Sequence, residues 1–157
     1  VLKKYEQMGI SIERGERECT AWRERPLRPT DIQTLPFPGF PTDMQAQSMC
    51  LLAMAEGSCI ITENVFESRF MFASELQRMG ANIVIEGHHA IVHGVPGFSG
   101  TQVKSPDLRG GAALVIAGLQ ADGLTRISRI EHIDRGYESI ERDLGVLGAH
   151  VRRETGT

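Results

Sequence analysis

The sequence predicts an α/β domain built from repeated βαβαββ units, an arrangement that some schemes class as α+β. Three segments share one pattern, in which a helix ends in an apolar residue and a glycine and a short strand follows. The three glycines are Gly9, Gly80 and Gly148, at intervals of 71 and 68 residues. Glycine suits the position just after a helix, where the backbone enters the left-handed region. The intervals therefore predict an internal repeat of about 70 residues.

A second set of correspondences runs in the same register. Asp43 and Asp107 lie 64 residues apart, and each opens an apolar helix. Those helices close at Gly57 and Gly123, which lie 66 residues apart. A strand follows each glycine, and a turn with an acidic residue and an arginine follows each strand. Offsets that agree this closely indicate duplicated units.

The middle unit, residues 31–93, is predicted to be complete. Its elements are a strand at 31–34, a helix at about 43–56, a strand at about 59–62, a helix at about 68–79 and two strands at about 81–86 and 89–93. The last two strands are predicted to form a tight hairpin at Gly87 and His88. This order of elements is βαβαββ.

The flanking units are predicted to be partial. Residues 1–22 supply the last helix and strands of a first unit, and residues 101–157 supply a third unit that lacks its final strand. A strand is predicted at 149–153 in this third unit. Five prolines between residues 26 and 41 mark the link into the middle unit. We infer from the two partial units that the chain is the C-terminal part of a longer protein.

Helix-start signals support these boundaries. Thr42 and Gln45 match a capping box, with Thr42 as the N-cap. Ser105 is predicted to cap the next helix, with a proline at its first position. The helix bodies at 49–55 and 112–119 are apolar on nearly all faces, as is typical of helices that are buried on most sides. The sequence therefore predicts helices inside and sheets outside, an inverse α/β barrel or α/β prism.

Composition excludes several classes of function. The chain has 157 residues, a net charge of −3 and only 6% aromatic residues, which argues against nucleic-acid binding. No apolar run approaches the roughly 20 residues of a membrane span, so we expect no membrane insertion. The three cysteines are odd in number and lack metal-ligand spacing. They are typical of buried thiols in a reducing compartment, so we expect a cytoplasmic location.

Ionisable residues concentrate where the repeat turns, and they form the candidate site. They are Asp43, Glu67, Arg69, Asp107, Arg109, Asp134 and Arg135. If the units close around a pseudo-threefold axis, equivalent turns meet at one end of the domain. Helix N-termini and the planar forks of arginines bind phosphate or carboxylate groups. The pattern therefore indicates an anionic substrate.

Plainer roles remain open for the same residues. Asp43 and Asp107 lie in first helical turns, where an acid is stabilised by the helix dipole alone. Glu67 with Arg69, and the neighbouring pair at 134–135, could form surface ion pairs of small energetic worth. The Pro-rich turn at 37–43 favours a functional Asp43, since a stiff turn holds a carboxylate in the fixed geometry that a general base needs.

The histidines do not predict a metal site. His88, His89 and His93 are close in sequence, but on a strand only His89 and His93 share a face. No cysteine or carboxylate completes a ligand set around them. We therefore expect neither a metal nor a cofactor.

Several longer motifs carry a resemblance to a known family. They are FPTDMQAQ at 40–47, ITE at 61–63, FE at 66–67, RFM at 69–71, DLR at 107–109 and HIDRGY at 132–137. These segments resemble the enolpyruvyl transferase family, in particular its UDP-N-acetylglucosamine 1-carboxyvinyltransferases. The resemblance runs from Val1 to the end of the chain.

The resemblance implies a two-domain enzyme with three βαβαββ units in each domain, one of which, the N-terminal half, lies outside this chain. Such an enzyme moves the enolpyruvyl group of phosphoenolpyruvate to the 3-hydroxyl of UDP-N-acetylglucosamine and releases phosphate. The reaction begins peptidoglycan synthesis, and it proceeds by addition and elimination without a cofactor. By the same resemblance, this piece alone is expected to be inactive.

Residue roles also follow from the resemblance. Asp43 matches the aspartate that contacts and deprotonates the sugar 3-hydroxyl. Val65 matches a position that binds the UDP-sugar through its backbone, with Phe66 beside it. Arg69 and Arg135 match arginines that bind phosphoenolpyruvate or respond to domain closure, and Arg135 is thereby a second catalytic candidate.

Asp107 and Arg109 match a further pair near the closing site. The atypical segment 104–106 just before them leaves their local setting open. The family's reactive-loop cysteine and a lysine that binds phosphoenolpyruvate match no residue of this chain.

Three alternatives stay open at the level of sequence. A 3-phosphoshikimate 1-carboxyvinyltransferase shares the same fold and would take shikimate 3-phosphate instead of the UDP-sugar. βαβαββ units also occur in RNA-associated proteins, although the net charge of −3 argues against that role. A non-catalytic domain that only docks to a partner chain is the third alternative.

Overall fold

The computed structural model describes residues 1–154. Its helices are α1 (Leu2–Gln7), α2 (Gln45–Leu52), α3 (Ala73–Arg78), α4 (Leu108–Gln120), α5 (Glu131–Asp134) and α6 (Ile140–Val146), with a short 3-10 helix at Thr42–Met44 before α2. Its strands are β1 (Ser11–Arg14), β2 (Cys19–Trp22), β3 (Ile32–Gln33), β4 (Ser58–Thr62), β5 (Asn82–Glu86), β6 (His89–His93), β7 (Phe98–Ser99), β8 (Gln102–Lys104), β9 (Ala121–Asp122) and β10 (Arg126–Ser128).

A four-stranded sheet forms the outer layer of the middle of the chain. Its order is β3-β4-β6-β5, with β3 parallel to β4 and the other pairs antiparallel. Alternate residues of β4 and β6 point into the core, where Ile61 and Val92 are fully buried, while Ile60 on the opposite face is 45% exposed. This alternation is what period-two side-chain geometry requires of a sheet with one buried face.

The helices lie on the inner side of that sheet. α2 contacts β4 and β6 on one side and α4 on the other. Met49 and Cys50 of α2, and Ala113 and Leu114 of α4, are fully buried. The Cys50 thiol donates to the Ala113 carbonyl at 3.2 Å, and burial raises the pKa of that thiol to about 12. Helices that are apolar all round are thus covered on most faces, as their sequence predicted.

The glycines of the repeat adopt the predicted backbone conformation. Gly9, Gly80 and Gly148 follow α1, α3 and α6 with φ values of 91°, 99° and 91°. Other residues rarely adopt these angles, so glycine ends all three helices for the same steric reason. The division of the chain into one complete and two partial units stays a prediction.

The two helices of the middle unit are shorter than predicted. The helix expected at 43–56 ends at Leu52, because later backbone groups bond elsewhere: Val95 donates to the Ala53 carbonyl at 2.8 Å and Glu56 donates to the Leu27 carbonyl at 2.9 Å. The helix expected at 68–79 begins only at Ala73, after a run of turns. Tertiary hydrogen bonds have thus replaced helical ones after Leu52, whereas local turn bonds, such as that from Ala73 to the Phe70 carbonyl at 2.9 Å, precede α3.

Both predicted N-caps are wrong. The Thr42 hydroxyl donates to Glu63 rather than capping a helix, and the Gln45 side chain is fully buried. Asp107, not Ser105, caps α4, since one Asp107 oxygen accepts from the backbone N–H groups of Arg109 and Gly110, each at 2.8 Å. An extended residue with a carboxylate satisfies two free N–H groups at once, which a Ser hydroxyl at 105 does not reach.

The strand predicted at 149–153 is also wrong. Residues 149–154 make no strand pairing within the described part of the chain. Arg153 instead donates to Asp134 through both terminal nitrogens, at 2.8 and 2.7 Å, and to Glu141. Ion pairs therefore hold this segment against α5 and α6. Two short parallel strand pairs precede it in the chain: β7 pairs with β9, and β8 pairs with β10.

None of the helices found in residues 1–154 is long and apolar enough to cross a lipid bilayer.

Two glycines in the first turn of α4 allow close packing there. A Cβ on Gly110 would lie 2.8 Å from Cβ of Phe72, and a Cβ on Gly111 would lie 2.6 Å from Cγ1 of Ile133 and would overlap Oγ of Ser105. Real Cβ atoms essentially never come so close to their neighbours. The start of α4 is therefore fixed against both flanking segments by the absence of side chains at these positions.

We expect Gly111→Ala to destabilise the protein. Overpacking costs about 1–3 kcal/mol, which opposes and outweighs the roughly 1 kcal/mol by which alanine is favoured over glycine in a helix. Gly145→Ala is the matched control, because Gly145 also lies in a helix but a Cβ added to it would meet no atom of residues 1–154 within 4 Å. Urea unfolding midpoints measure both variants. A Gly111→Ala variant as stable as Gly145→Ala would contradict the packing argument.

Candidate functional site

The N-termini of α2 and α4 meet at one end of the domain. Asp43 lies in the 3-10 turn just before α2, and Arg109 lies in the first turn of α4. The Nε atom of Arg109 donates to Oδ1 of Asp43 at 2.7 Å, although 66 residues separate them in sequence. The packing of two helices thus brings together two of the predicted site residues.

A second arginine binds the same oxygen of Asp43. The Nη2 atom of Arg69 lies 3.4 Å from Oδ1 of Asp43. The Asp43 side chain is 59% exposed, and its second oxygen, Oδ2, has no hydrogen-bond partner among residues 1–154. One carboxylate oxygen is therefore held by two cations while the other is open to solvent.

The cations determine the acidity of this carboxyl group. The hydrogen bond from Arg109 lowers the pKa of Asp43, with desolvation acting in the opposite direction, and the charges of Arg109 and Arg69 lower it further. The same contact raises the pKa of Arg109. Asp43 is consequently ionised at neutral pH, as a general base must be before it accepts a proton.

Arg69 is held by Phe66 and Thr42 rather than by Glu67. Its guanidinium lies 4.4 Å above the Phe66 ring, and its Nε donates to the Thr42 hydroxyl at 3.3 Å. Ser68, one residue earlier, has a φ of 56°, so a left-handed turn aims Arg69 back toward Asp43. With its side chain only 13% exposed, Arg69 is not the surface ion-pair partner of Glu67 that was considered from sequence.

Backbone contacts fix the turn that carries Asp43. Leu35 donates to the Phe40 carbonyl at 3.0 Å and Gly39 donates to the Pro36 carbonyl at 2.8 Å. Phe40 is buried, and a Cβ on Gly39 would collide with Cβ of Leu35. This supports the expectation that the Pro-rich turn is a rigid mount for the carboxylate.

The segment after β4 presents two apolar side chains to solvent beside these charges. Val65 is 40% exposed and Phe66 is 55% exposed. Both of their backbone N–H groups donate inward to the buried Glu63 carboxylate, at 2.9 and 3.0 Å. Within residues 1–154 the Val65 carbonyl oxygen accepts no hydrogen bond, so it is the backbone group that stays available at this position.

The remaining predicted residues are not in direct contact with Asp43. Asp107 is the N-cap of α4, not a first-turn acid held by the helix dipole as the plainer expectation had it. Arg135 is exposed just after α5, and the adjacent Gly136 packs against Leu108 at the start of α4. Arg135 thus lies near the same helix end, with no ion pair to a carboxylate among the described residues.

Asp134 is not paired with Arg135. Arg153 binds Asp134 through two nitrogens and thereby lowers the pKa of Asp134. The neighbouring pair considered from sequence is therefore absent, because the more distant arginine occupies both carboxylate oxygens.

Glu63 and Thr42 are the site residues to which sequence analysis gave no such role. Glu63 is 3% exposed and accepts hydrogen bonds from Thr34, Thr42, Val65 and Phe66. The available signal was a glutamate directly after the apolar strand β4, where an acidic residue is seldom buried without partners.

His89 and His93 of β6 each lie within hydrogen-bond distance of a hydroxyl group on β4. Nδ1 of His93 lies 2.7 Å from Oγ of Ser58, and Nδ1 of His89 lies 2.9 Å from Oγ1 of Thr62, each pair being cross-strand neighbours in β4 and β6. In the part of the chain that the structure describes, no cluster of three His, Cys, Asp or Glu side chains is arranged to hold a metal ion.

We expect the pKa of Asp43 to rise when Arg109 is replaced by methionine, which keeps the apolar length and removes the charge. Arg69→Met should raise it less, since Arg69 contributes the last and longer-range effect. Carbonyl-detected NMR titration of Asp43 measures both shifts, with retained amide spectra as the folding control. A pKa of Asp43 unchanged by Arg109→Met would show that the contact does not exist in solution.

Comparison with known proteins extends this picture. The family model described as EPSP synthase (3-phosphoshikimate 1-carboxyvinyltransferase) matches residues 1–144. The chain is 49% identical over 155 residues to UDP-N-acetylglucosamine 1-carboxyvinyltransferase of Desulfovibrio desulfuricans, which covers 98% of this chain and 37% of that protein. It is 50% identical over 153 residues to UDP-N-acetylglucosamine 1-carboxyvinyltransferase 1 of Clostridium acetobutylicum, with the same two coverages. The chain thus spans little more than a third of the length of these relatives.

Solved structures confirm the predicted fold class. The enolpyruvyl transferase NikO from Streptomyces tendae superposes with a TM-score of 0.91 at 34% identity, covering 99% of this chain and 36% of that one. EPSP synthase from Acinetobacter baumannii superposes with a TM-score of 0.67 at 20% identity over 98% of this chain and 36% of its own, which is a likeness of fold alone. The resemblance inferred from the motifs is confirmed: the chain belongs to the EPSP synthase (3-phosphoshikimate 1-carboxyvinyltransferase) family of enolpyruvyl transferases.

Proposed function

We propose that this chain is the C-terminal part of an enzyme that transfers the enolpyruvyl group of phosphoenolpyruvate to the 3-hydroxyl of UDP-N-acetylglucosamine and releases phosphate. The observation that carries the proposal is the Asp43 carboxylate, with one oxygen held by Arg69 and Arg109 and the other open. A base and cations side by side suit a reaction that deprotonates an alcohol next to an anionic reactant.

Asp43 is the proposed base. Its open Oδ2 is free to accept a hydrogen bond from the sugar hydroxyl, while Oδ1 keeps the carboxylate in place. In the addition step the proton passes from the hydroxyl to Asp43, the oxygen bonds to C2 of phosphoenolpyruvate, and C3 takes up one proton from solvent. In the elimination step C3 gives up one proton, the bond between C2 and the phosphate oxygen breaks with its electron pair leaving on phosphate, and an enol ether remains. The proton on Asp43 and the proton from C3 are released to solvent or to the departing phosphate, so that the alcohol and phosphoenolpyruvate together give the enol ether and phosphate.

The arginines have two successive tasks in this proposal. Before phosphoenolpyruvate binds, Arg109 and Arg69 keep Asp43 ionised but lower its pKa and hence its basicity. The phosphate and carboxylate of phosphoenolpyruvate compete for the same guanidinium groups, with exposed Arg135 as a further cation at this end of α4. When the arginines bind phosphoenolpyruvate instead of Asp43, the pKa of Asp43 rises. Asp43 is then a stronger base toward the acceptor alcohol.

Val65 and Phe66 are proposed to bind the UDP-sugar. Because their N–H groups are occupied by Glu63, the Val65 carbonyl is the backbone group that can accept a hydrogen bond from the ligand. The exposed Phe66 side chain then gives an apolar surface beside Arg69. Asp107 has a supporting role, since it orients the turn from which Arg109 projects.

The rest of the enzyme is proposed to lie in an N-terminal half that contributes a second wall to the site. The relatives' greater length supports this, because this chain covers 37% of the Desulfovibrio protein. We propose that the reaction occurs in the cytoplasm as a step of peptidoglycan synthesis and needs no cofactor. This chain would then be inactive without its other half.

A second acceptor, shikimate 3-phosphate, is the alternative substrate. The family model carries the name of 3-phosphoshikimate 1-carboxyvinyltransferase. The identity of about half of the residues to UDP-N-acetylglucosamine 1-carboxyvinyltransferases favours the UDP-sugar, since the solved EPSP synthase is only 20% identical. No finding favours the RNA-binding or purely docking alternatives.

We expect the full-length protein to release phosphate from phosphoenolpyruvate in the presence of UDP-N-acetylglucosamine, and Asp43→Asn to reduce kcat about 10²–10⁴-fold, the usual contribution of a general base. Asparagine keeps the shape but accepts no proton. Asp143→Asn is the matched control, because Asp143 is 70% exposed in α6 and, among residues 1–154, forms an ion pair only with the neighbouring Arg142.

The same assay separates the two acceptors. Phosphate release with shikimate 3-phosphate, and none with the UDP-sugar, would replace the proposed substrate. An Asp43→Asn enzyme as active as Asp143→Asn would remove Asp43 as the base, whichever acceptor is used.

A further inference from the structure

Glu63 has a set of contacts that the proposed chemistry does not use. Its Oε1 accepts from the Thr34 hydroxyl at 2.8 Å and from the N–H groups of Val65 and Phe66 at 2.9 and 3.0 Å. Its Oε2 accepts from the Thr42 hydroxyl at 2.9 Å. Both oxygens of this carboxylate, whose residue is 3% exposed, therefore have hydrogen-bond partners, three at Oε1 and one at Oε2.

The four donors come from three separate segments. Thr34 follows β3, Thr42 directly precedes Asp43, and the two backbone groups belong to the segment after β4. Among residues 1–154 no arginine or lysine nitrogen lies within salt-bridge distance of Glu63. Among the described residues, neutral hydroxyl and backbone N–H groups from the three segments that frame the site hold this buried side chain.

The Thr42 hydroxyl transmits this arrangement to the base. A hydroxyl has one proton, and giving it to Glu63 leaves its lone pairs to face other donors. The Nε of Arg69 occupies one of them at 3.3 Å, and the Nη2 of Arg69 lies 3.4 Å from Oδ1 of Asp43. A chain of hydrogen bonds thus runs from Glu63 through Thr42 and Arg69 to Asp43.

We propose that Glu63 is a positioning residue for the base: by accepting the Thr42 proton it fixes Arg69 beside Asp43, and by accepting the N–H groups of Val65 and Phe66 it fixes the segment opposite. Glu63 touches no reacting atom, and it acts only through these neighbours. The proposal takes from the proposed function the role of Asp43, whereas the hydrogen-bond chain itself is independent of which substrate is used.

Three single variants of the full-length protein test the chain of contacts. Thr42→Val keeps the shape of threonine and removes the hydroxyl, while Thr42→Ser keeps the hydroxyl and is the conservative control. Glu63→Gln keeps one oxygen for the three donors at Oε1 and places an amide donor against Thr42, which takes away the acceptor of the Thr42 proton.

Steady-state kinetics give the first readout. We expect Thr42→Val and Glu63→Gln each to lower kcat about tenfold or more through misplacement of the base, with KM for the UDP-sugar changed less than about threefold. Thr42→Ser should keep kcat within about threefold of wild type, and the double variant Glu63→Gln/Thr42→Val should be no worse than either single one, since both break the same chain.

Titration of Asp43 by NMR gives a second readout that needs no turnover. A displaced Arg69 lowers the pKa of Asp43 less, so this pKa should rise in Thr42→Val and Glu63→Gln and stay unchanged in Thr42→Ser. If Glu63 had a purely structural role, all variants would lose thermal stability, but Thr42→Val and Thr42→Ser would not differ in kcat or in the pKa of Asp43.

The outcomes distinguish the two proposals. Wild-type enzyme without turnover on either acceptor would overturn the proposed function, and the Asp43 titration would still decide the role of Glu63. Active wild type, with Thr42→Val equal to Thr42→Ser in both kcat and the pKa of Asp43, would overturn the positioning role alone.

Discussion

The packing of α2 against α4 is the constraint on which the site depends. α4 presents small, fully buried residues such as Ala113 and Ala117, and its glycines at 110 and 111 leave room for other segments, those of Phe72 and Ile133. The Cys50 thiol reaches the Ala113 carbonyl at 3.2 Å across this contact. Because the two helices begin at the same end of the domain, the 3-10 turn before α2 and the first turn of α4 supply a carboxylate and a guanidinium that meet directly.

If Asp43 is the base, as proposed, this arrangement meets two opposing demands on it. A base must be ionised before the reaction, which neighbouring cations promote, but it must also be basic enough to take a proton, which the same cations oppose. An open site with Oδ1 on two guanidinium groups meets the first demand. In the proposed mechanism, an anionic reactant that binds those guanidinium groups meets the second, and the basicity of Asp43 then increases when the reactant is present.

Much of the fold could be predicted from the sequence because its strongest signals are local. Glycine after a helix has a steric cause, and Gly9, Gly80 and Gly148 share nearly the same backbone angle. Alternation along β4 and β6 likewise follows from the geometry of one strand. Helix limits and caps were less predictable, since the end of α2 and the cap of α4 depend on hydrogen bonds to other segments.

The candidate site, like the fold, could be predicted only in part from the sequence. Asp43, Arg69 and Arg109 could be grouped because they recur at equivalent turns, and the structure places them in contact. Asp134 was grouped with its sequence neighbour, but it binds an arginine 19 residues away. The role of Glu63 could not be read from one sequence, because it consists of donors from three segments that converge only in the folded chain.

The most direct test is a crystal structure of the full-length protein with UDP-N-acetylglucosamine and an unreactive phosphoenolpyruvate analogue. We expect an Asp43 oxygen within about 2.6–3.2 Å of the sugar 3-hydroxyl, the reach of a general base, and at least one of the Asp43-bound guanidinium groups on the analogue's phosphate or carboxylate. A complex in which both arginines remain on Asp43 and the 3-hydroxyl faces another group would contradict the account.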